Sequence, residues 1–288
     1  MELPSLVDVC AGIVALPRVN VVDVGANPLA DVKPPYQTLI DEDMASVTGF
    51  EPDPEAFERL LAEKGPRETY LPYAIGDGRR HQFRVCAMSG MNSLLPPNLD
   101  LLDLLHLFGQ WSEVKELVEV DTRRLDDVAE VEAMDYLKID VQGGELLVFE
   151  NAAEKLKRCL VVHTEVMFVP MYTGQPLFSE QELALRKLGF LLHRFFDLHG
   201  RALKPFVVNG NLHNPLSQVL WADMIFIKDI THLERLQPEQ LLKLAVILHY
   251  VYKSIDVVHL ALQAYDRVTG TDLAPRYQAL LIPTAHAA

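Results

Sequence analysis

The stretch Val-Asn-Val-Val-Asp-Val-Gly-Ala-Asn, residues 19–27, has the pattern of a buried β-strand that ends in an acidic residue and a glycine turn. A second stretch of the same design, Asp-Tyr-Leu-Lys-Ile-Asp-Val-Gln-Gly-Gly-Glu-Leu, occupies residues 135–146. In an open α/β sheet, ligands bind at the carboxyl ends of the strands. The two strand ends, with carboxylates at Asp23 and Asp140, therefore predict one shared cleft.

Alternating strand and helix patterns surround these two stretches, from about residue 19 to residue 229. Apolar, β-branched runs predict the strands, and residues with helical spacing lie between them. This alternation is typical of an α/β protein with a doubly wound, Rossmann-like sheet. The predicted strands cover residues 20–24, 46–50, 69–75, 82–87, 117–122, 136–141, 160–166, 190–196 and 224–228, and we expect the last to be antiparallel.

Both ends of the chain are predicted to be helical. Residues 1–18 predict an N-terminal helix, residues 19–229 the sheet domain, and residues 230–288 a helical extension without strands. The extension has apolar residues at helical spacing over 238–252, 255–269 and 274–281. Within the sheet domain, residues 99–108 predict a helix, and Ser179 is the predicted N-cap of another, with Glu182 completing a capping box.

The composition limits the classes of partner. The chain has 288 residues, is 49% hydrophobic and 23% charged, and carries a formal net charge of −14. Such acidity disfavours a nucleic-acid backbone or an anionic membrane surface as the main partner. The three cysteines are far apart and lack C-x-x-C spacing, so neither disulfides nor a cysteine zinc site is expected. Without a basic leader or about 18 consecutive apolar residues, a soluble, cytoplasmic protein is expected.

The residues at the ends of the first three predicted strands suggest a nucleoside-like ligand. Only one glycine, Gly25, follows the first strand, so the G-x-G-x-x-G dinucleotide fingerprint is absent and a nicotinamide dehydrogenase is disfavoured. Glu51 ends the second strand, where a carboxylate can accept hydrogen bonds from ribose hydroxyls or favour the following helix N-terminus. Ile75, Gly76 and Asp77 end the third strand, where they could border an adenine ring or form a simple turn.

Polar residues on the later strands predict the reacting centre. Lys138, Asp140 and Gln142 alternate along one strand, so we expect them to share one side of it. The next strand ends in His163 and Glu165, which point the same way and suit general-base chemistry. The alternative for His163 is a hydrogen-bonded structural histidine. Two loops, containing Ser93 and Tyr172, hold polar groups suitable for contact with a substrate, or are simply ordered loops.

Taken in order, these motifs resemble the FkbM-type S-adenosylmethionine-dependent methyltransferases over roughly residues 19–229. The resemblance rests on Val22-Asp-Val-Gly-Ala-Asn27, Gly49-Phe-Glu-Pro-Asp-Pro54, Ala74-Ile-Gly-Asp77, Ser89-Gly-Met-Asn-Ser-Leu94, Leu125-Asp126, Leu137-Lys-Ile-Asp-Val-Gln-Gly-Gly-Glu-Leu146 and Trp221-Ala-Asp223. It implies a class I methyltransferase fold with residues 19–229 as the methyltransferase domain. It also implies methyl transfer from S-adenosyl-L-methionine, commonly to a hydroxyl of a sugar or secondary metabolite.

The resemblance also implies roles for individual positions. Asp23, Gly25 and Asn27 would line the methionine part of the cofactor. Glu51 would bind the ribose, Ile75, Gly76 and Asp77 would approach the adenine, and Asp140 would lie beside the sulfonium and the acceptor. The chain departs from the family pattern at Pro28-Leu29, where many members have a glycine, and at Gln142, where many have glutamate.

Several alternatives remain open at this level. His163 or Glu165 is the hypothetical base, with Asp140 orienting the acceptor and Ser93, Gln142 and Tyr172 contacting it. No metal is required, although Asp140, Glu165 and a nearby carboxylate offer ligands for a divalent ion. The acceptor is expected to be a small molecule or a glycan, with residues 204–218 as a lid. A non-catalytic nucleoside-binding module is the second reading, and the C-terminal helices could support a homo-oligomer.

Overall fold

The computed structural model describes residues 4–27 and 33–281. The departure from the family pattern at Pro28 and Leu29 lies outside the described residues. The strands are β1 (Val19–Val24), β2 (Ala45–Phe50), β3 (Glu68–Leu71), β4 (Ala74–Ile75), β5 (Arg80–Cys86), β6 (Val114–Arg123), β7 (Tyr136–Ile139), β8 (Val161–Met167), β9 (Phe190–Arg201) and β10 (Gln218–Lys228).

The helices are α1 (Leu6–Cys10), α2 (Gln37–Asp41), α3 (Pro54–Glu63), α4 (Leu99–Leu102), α5 (Phe108–Trp111), α6 (Glu145–Glu150), α7 (Ala153–Arg158), α8 (Phe178–Lys187), α9 (Pro238–Ile247), α10 (Ile255–Thr269) and α11 (Leu273–Leu281). A turn of π-helix, Leu248–Tyr252, continues α9. None of the helices within residues 4–27 and 33–281 is long and apolar enough to cross a membrane.

Seven strands form the main sheet in the order β3-β2-β1-β7-β8-β10-β9. Strands β1, β2, β3, β7 and β8 are parallel, whereas β10 is antiparallel to both β8 and β9, as expected from the sequence. The chain leaves β1 toward one edge of the sheet and reaches β7 on the other side of β1. This reversal creates a topological switch point between β1 and β7, and crevices at such points hold ligands in α/β proteins. The predicted doubly wound, Rossmann-like class is confirmed.

The C-terminal helices cover one face of this sheet. Residues of α9 and α10, such as Leu244 and Val258, belong to the same apolar cluster as Val21 of β1 and Val161 of β8. The observed helices begin and end within a few residues of the predicted ones, with the predicted 238–252 helix ending as a π-turn. The boundary at residue 229 stays a prediction, as does self-association through these helices, but they share a core with the sheet.

Three local predictions are wrong. The single strand expected over residues 69–75 is two strands, because Pro72 lacks the N–H that would continue the ladder, and β4 pairs instead with β6 in a three-stranded sheet. The helix expected over 99–108 is two single turns, α4 and α5, separated at Leu107, whose φ is 69°. Helix α8 starts at Phe178, where Glu180 rather than Glu182 accepts from the preceding backbone N–H.

Candidate active site

The ends of β1 and β7 meet at Gly25. This residue has a φ of 83°, and a Cβ placed on it would lie 2.0 Å from the backbone oxygen of Asp140. The Asp140 N–H in turn donates to Val24 O at 3.0 Å. Only glycine tolerates both the left-handed backbone and this approach. The shared cleft expected from the two sequence stretches is therefore present in the structure.

Asp23 is a buried carboxylate whose two oxygens have different partners. Tyr36 donates its hydroxyl hydrogen to Asp23 Oδ2 at 2.6 Å. Lys138 Nζ lies 3.3 Å from Asp23 Oδ1 and donates to Gly25 O. Burial alone would lower the pKa of Lys138, but the carboxylates of Asp23 and Asp140 raise it above its usual value. The lysine thus stays charged and holds the glycine turn in place.

Two buried acceptor atoms on this turn are incompletely satisfied. Asn27 Oδ1 receives no hydrogen bond from the described residues, and Asp23 Oδ1 has only its ion pair with Lys138. A buried acceptor without its full set of hydrogen bonds raises the free energy of the unliganded protein. A ligand that donates hydrogen bonds here removes this penalty when it binds. An ammonium group, with three donors, fits the pair. The methionine part of the predicted cofactor carries such a group.

Glu51 lies where the ribose is expected. Its side chain is buried, and Oε1 accepts from the N–H of Asp53 at 2.8 Å. Burial raises its pKa to about 7. The hydrogen bonds found within residues 4–27 and 33–281 leave its second oxygen without a donor. A carboxylate so placed can accept from a sugar hydroxyl.

The predicted adenine contacts have other partners. Ile75 packs into the core beside β2, and the Gly76 N–H donates to Arg123 O. Asp77 contacts His81 Nε2 at 2.7 Å and accepts from the Arg79 N–H at 3.0 Å. These bonds fit the turn that the sequence offered as the alternative for Asp77. The adenine role of the three residues stays a prediction.

Four residues predicted for the reacting centre form hydrogen bonds with a fifth, Gln142. Gln142 Nε2 donates to Asp140 Oδ1 at 2.8 Å and to Glu165 Oε2 at 3.1 Å. Tyr172 donates its hydroxyl hydrogen to Gln142 Oε1 at 3.1 Å, and Ser93 Oγ donates to Gln142 O at 2.7 Å. Gln142 lies beyond β7, not on it, and has a φ of 52°. The side-chain amide of Gln142 therefore links the ends of β7 and β8 with the loop of Tyr172, and its backbone carbonyl holds the loop of Ser93.

The carboxylates here perturb one another. Burial, followed by the charges of Asp140, Glu145 and Asp223, raises the pKa of Glu165 well above its usual range. Asp223 lies opposite Glu165 on β10, and burial together with Asp140 raises its pKa to about 6. Clustered carboxylates with raised pKa values are typical of sites that accept protons near neutral pH. Asp223 was not a site candidate, because only the pairing of β10 with β8 reveals its position.

His163 faces a different environment from Glu165. Its side chain is 5% exposed, and Nδ1 lies 3.1 Å from the Tyr252 hydroxyl and 3.4 Å from that of Tyr136. Burial, aided by the charge of Lys138, lowers its pKa to about 3. The ring is therefore neutral and enclosed by tyrosines. These contacts favour the structural role weighed for it in the sequence.

Two groups of potential metal ligands occur among the described residues, and one of them is in this site. Asp140, Glu145 and Glu165 have carboxylate oxygens within 4.8 Å of one another. Both oxygens of Glu145, however, accept from the backbone N–H of Gly143, and one also accepts from Val141. Glu145 therefore holds the glycine turn before α6. The absence of a metal requirement stays a prediction.

Comparison with known proteins gives the family. The model of the methyltransferase FkbM domain matches residues 23–192, more than half of the chain. This chain belongs to the FkbM methyltransferase family. Membership confirms the resemblance seen in the motifs, and S-adenosylmethionine as the predicted cofactor.

One curated relative of this FkbM protein is the 2-O-methyltransferase NoeI of Sinorhizobium fredii (strain NBRC 101917 / NGR234). It is 30% identical over 168 residues, which are 54% of this chain and 66% of NoeI. The chain thus spans just under two thirds of that relative.

Two solved structures are similar to this chain at much lower sequence identity. A proposed methyltransferase from Thermoplasma acidophilum has a TM-score of 0.35 and 12% identity, with 74% of this chain and 69% of that one covered. An uncharacterized protein from Listeria monocytogenes serotype 4b has a TM-score of 0.35 and 9% identity, with 98% and 100% covered. The fold assignment therefore rests on the strand order of the chain itself.

The FkbM match covers only part of the site. It begins at Asp23 and ends within β9, so it includes the predicted cofactor residues and Glu165. Strand β10 with Asp223, and the C-terminal helices with Tyr252, lie beyond it. The family match therefore gives no information on those elements.

Proposed function

We propose that this chain is an O-methyltransferase that transfers the methyl group of S-adenosylmethionine to a hydroxyl of a sugar or secondary metabolite. The cofactor supplies a methyl group made electrophilic by the positive sulfur. Asp23, Gly25 and Asn27 would hold its methionine part, and Glu51 its ribose. The incompletely satisfied buried acceptors of Asp23 and Asn27 support this placement.

The observation that carries the proposal is the bridge that Gln142 makes between Asp140 and Glu165. Methyl transfer to a hydroxyl needs a group that positions the acceptor and a base that takes its proton. Glu165, with its raised pKa, suits the base, and Asp140 suits the positioning role beside Gly25. His163 is enclosed by tyrosines and is assigned a structural role instead.

Oxygen rather than nitrogen as the acceptor atom draws support from NoeI, which is named as a 2-O-methyltransferase. Ser93 and Tyr172 are both bonded to Gln142, whose amide in turn donates to Glu165. Because both side chains are buried, they would meet an acceptor hydroxyl only where it displaces these bonds. A small polyhydroxylated molecule or a glycan is the acceptor class that such groups fit.

The test measures binding and turnover separately. Glu165→Gln is expected to leave the Kd for S-adenosylmethionine near the parent value, while lowering kcat with a hydroxyl acceptor by about 10²–10⁴-fold. Glu154→Gln, on the exposed start of α7, is the control for a charge change and should turn over normally. Calorimetry gives the Kd, and formation of S-adenosylhomocysteine with a panel of sugars gives kcat.

The pH profile separates the base from its neighbours. A base must be ionised to work, and the raised pKa of Glu165 means that activity should fall on acidification at a higher pH than for an ordinary carboxyl group. Unchanged turnover in Glu165→Gln would remove the assignment. Tight binding of the cofactor without turnover on any acceptor would favour the non-catalytic nucleoside-binding module.

A further inference from the structure

A group of aromatic and basic side chains, called here the aromatic–basic cluster, lies outside the site residues described above. It consists of Phe108, Trp111, His199, Arg201, His213 and Trp221. The ring of His199 stacks on Trp221 with centroids 5.0 Å apart, and His213 stacks on Trp111 at 5.9 Å. Phe108 joins the two halves, with centroids 5.1 Å from Trp111 and 6.1 Å from Trp221.

Arg201 is the charged centre of the cluster. Its guanidinium carbon lies 5.0 Å from the ring centroid of Trp221 and 5.8 Å from that of Phe108. Nη1 donates to the Gly200 carbonyl, while Nε is buried without a hydrogen-bond partner. No salt bridge to it occurs within residues 4–27 and 33–281. A half-buried cation without a counter-ion is costly, and a bound anion would relieve that cost.

The local sequence supplies no acid to neutralise this charge. Residues 198–222 contain no aspartate or glutamate, although the chain has 40 acidic residues in all. Asp197 and Asp223, which flank this segment, each have a carboxylate oxygen within 4.8 Å of a ring nitrogen of His199. Burial lowers the pKa of Arg201, and no carboxylate opposes that effect. Arg201 is therefore a positive group without a salt-bridge partner among the described residues, in an acidic protein.

The cluster adjoins the proposed reacting centre. Trp221 pairs with Met167 on β8, and Asp223 pairs with Glu165. Trp221 and Asp223 are two residues apart on one strand, so they share a face of the sheet and lie about 7 Å apart along it. A molecule with a hydroxyl at Glu165 can reach Arg201 within the length of one or two sugar rings. Its far end would then face the cluster.

We propose that the aromatic–basic cluster binds an oxyanion, a carboxylate or a phosphate group, carried by the methyl acceptor. The guanidinium of Arg201 offers a planar pair of donors that matches such a group. His199, between Arg201 and Asp197, adds an imidazole donor on one side. The location on the acceptor rests on the proposed function, whereas oxyanion binding itself does not.

The test uses the two tryptophans as reporters. Trp111 and Trp221 are the only tryptophans of the chain, and both belong to the cluster, so intrinsic fluorescence reports on it alone. Titration of the full chain with glucuronate and with glucose 6-phosphate should give a saturable change, and glucose should give none. The anion that binds with the lower Kd shows whether the site prefers a carboxylate or a phosphate group. An equal response to glucose would overturn the proposal.

Arg201→Gln should weaken anion binding about tenfold or more, since it removes a charged hydrogen-bonding partner. Arg201→Lys keeps the charge but not the planar donors. Its affinity for the anion should lie between those of Arg201→Gln and the parent. Arg194→Gln, the same change at an exposed site on the same strand, should leave binding unaltered. Equal affinities in Arg201→Gln and the parent would overturn the proposal.

The outcomes also separate this inference from the proposed function. Anion binding at Arg201 without methyl transfer on any acceptor would leave the anion site standing and remove the enzyme assignment. Methyl transfer with the same kcat/KM for glucuronides and for neutral glycosides would keep the enzyme and overturn the placement of the anion on the acceptor.

Discussion

Gly25 holds the cofactor side of the site in shape, because a side chain there would collide with Asp140. Gly25→Ala is expected to destabilise the fold by about 1–2 kcal/mol for its left-handed backbone, plus about 1–3 kcal/mol for the displaced β7 end. It should also weaken cofactor binding. Urea unfolding and calorimetric titration measure the two effects.

Gly12 provides a matched control. Its φ is 75°, close to that of Gly25, but nothing lies within 4 Å of a Cβ placed on it. Gly12→Ala should therefore show the backbone cost alone and leave cofactor binding intact. If both variants lose the same free energy of unfolding, the contact between a side chain at residue 25 and Asp140 makes no contribution to stability.

The buried carboxylate of Glu51, predicted to bind the ribose, lowers the free energy of unfolding of the free protein. Its pKa rises from 4.5 to about 7 on folding, so its ionisation disfavours the folded state as the pH rises through this window. Glu51→Gln should stabilise the free protein by roughly 3 kcal/mol at pH 8. The gain at pH 6 should be about 1 kcal/mol smaller. Urea unfolding at the two pH values checks this.

The same variant should bind S-adenosylmethionine more weakly, because a carboxamide has one acceptor oxygen where the carboxylate has two. Glu58→Gln, on the exposed side of α3, is the control and should change neither property. A Glu51→Gln protein with parent affinity would contradict a ribose role for this carboxylate.

The sequence could predict single site residues where the strand pattern alone places them. Asp140, Gln142 and Glu165 follow from the rule that ligands meet strand ends, and the structure brings them together. His163 has the same pattern but is enclosed by Tyr252, which is 89 residues away and enters from the C-terminal helices. Such long-range enclosure leaves no local signal in the sequence.

Among the elements, the central parallel strands β1, β2, β7 and β8 were predictable because they are mostly buried and are therefore nearly continuous apolar runs. The short elements of residues 68–111 were not. There Pro72 divides one apolar run between two sheets, and the left-handed Leu107 divides one helical pattern into two turns. Each break depends on which neighbour the backbone pairs with, such as β6 for β4.

The π-turn after α9 joins the C-terminal helices to the site. Its Tyr252 hydroxyl lies 2.6 Å from that of Tyr136 and 3.1 Å from His163 Nδ1. Tyr252→Phe is expected to cost about 1–3 kcal/mol by leaving buried partners unpaired. The Tyr136→Phe/Tyr252→Phe double variant should cost less than the sum of the singles. A double-mutant cycle in urea measures this coupling.

Tyr250→Phe, in the same π-turn, is the control for this cycle. The described residues give its hydroxyl no hydrogen bond, and its ring is only partly buried. It should unfold like the parent protein. Strict additivity of the Tyr136 and Tyr252 variants would contradict the coupling.

The molecule as a whole should unfold in one step. The cluster that unites β1, β7 and β8 with α9 and α10 also contains Leu6 and Val9 of α1, so both chain ends contribute to one core. A chain ending at residue 229 would expose the apolar face that α9 and α10 cover. We expect it to aggregate or lose near-ultraviolet circular dichroism, while the full chain shows one calorimetric transition.

A monomeric fragment 1–229 that keeps its circular dichroism and binds S-adenosylmethionine would contradict this expectation. It would support the division at residue 229 drawn from the sequence. Two separate calorimetric transitions in the full chain would lead to the same conclusion, since independent domains melt independently.

The antiparallel course of β10 has a practical consequence for redesign. Strands β9 and β10 form a hairpin, so their connection, residues 202–217, turns back at the carboxyl edge of the parallel strands, beside Glu165 and Trp221. The predicted cofactor residues Asp23 and Glu51 lie on β1 and directly after β2, away from this hairpin. Exchanging this one loop between homologues is therefore expected to change the preference for the proposed acceptor while leaving the predicted donor pocket unaltered.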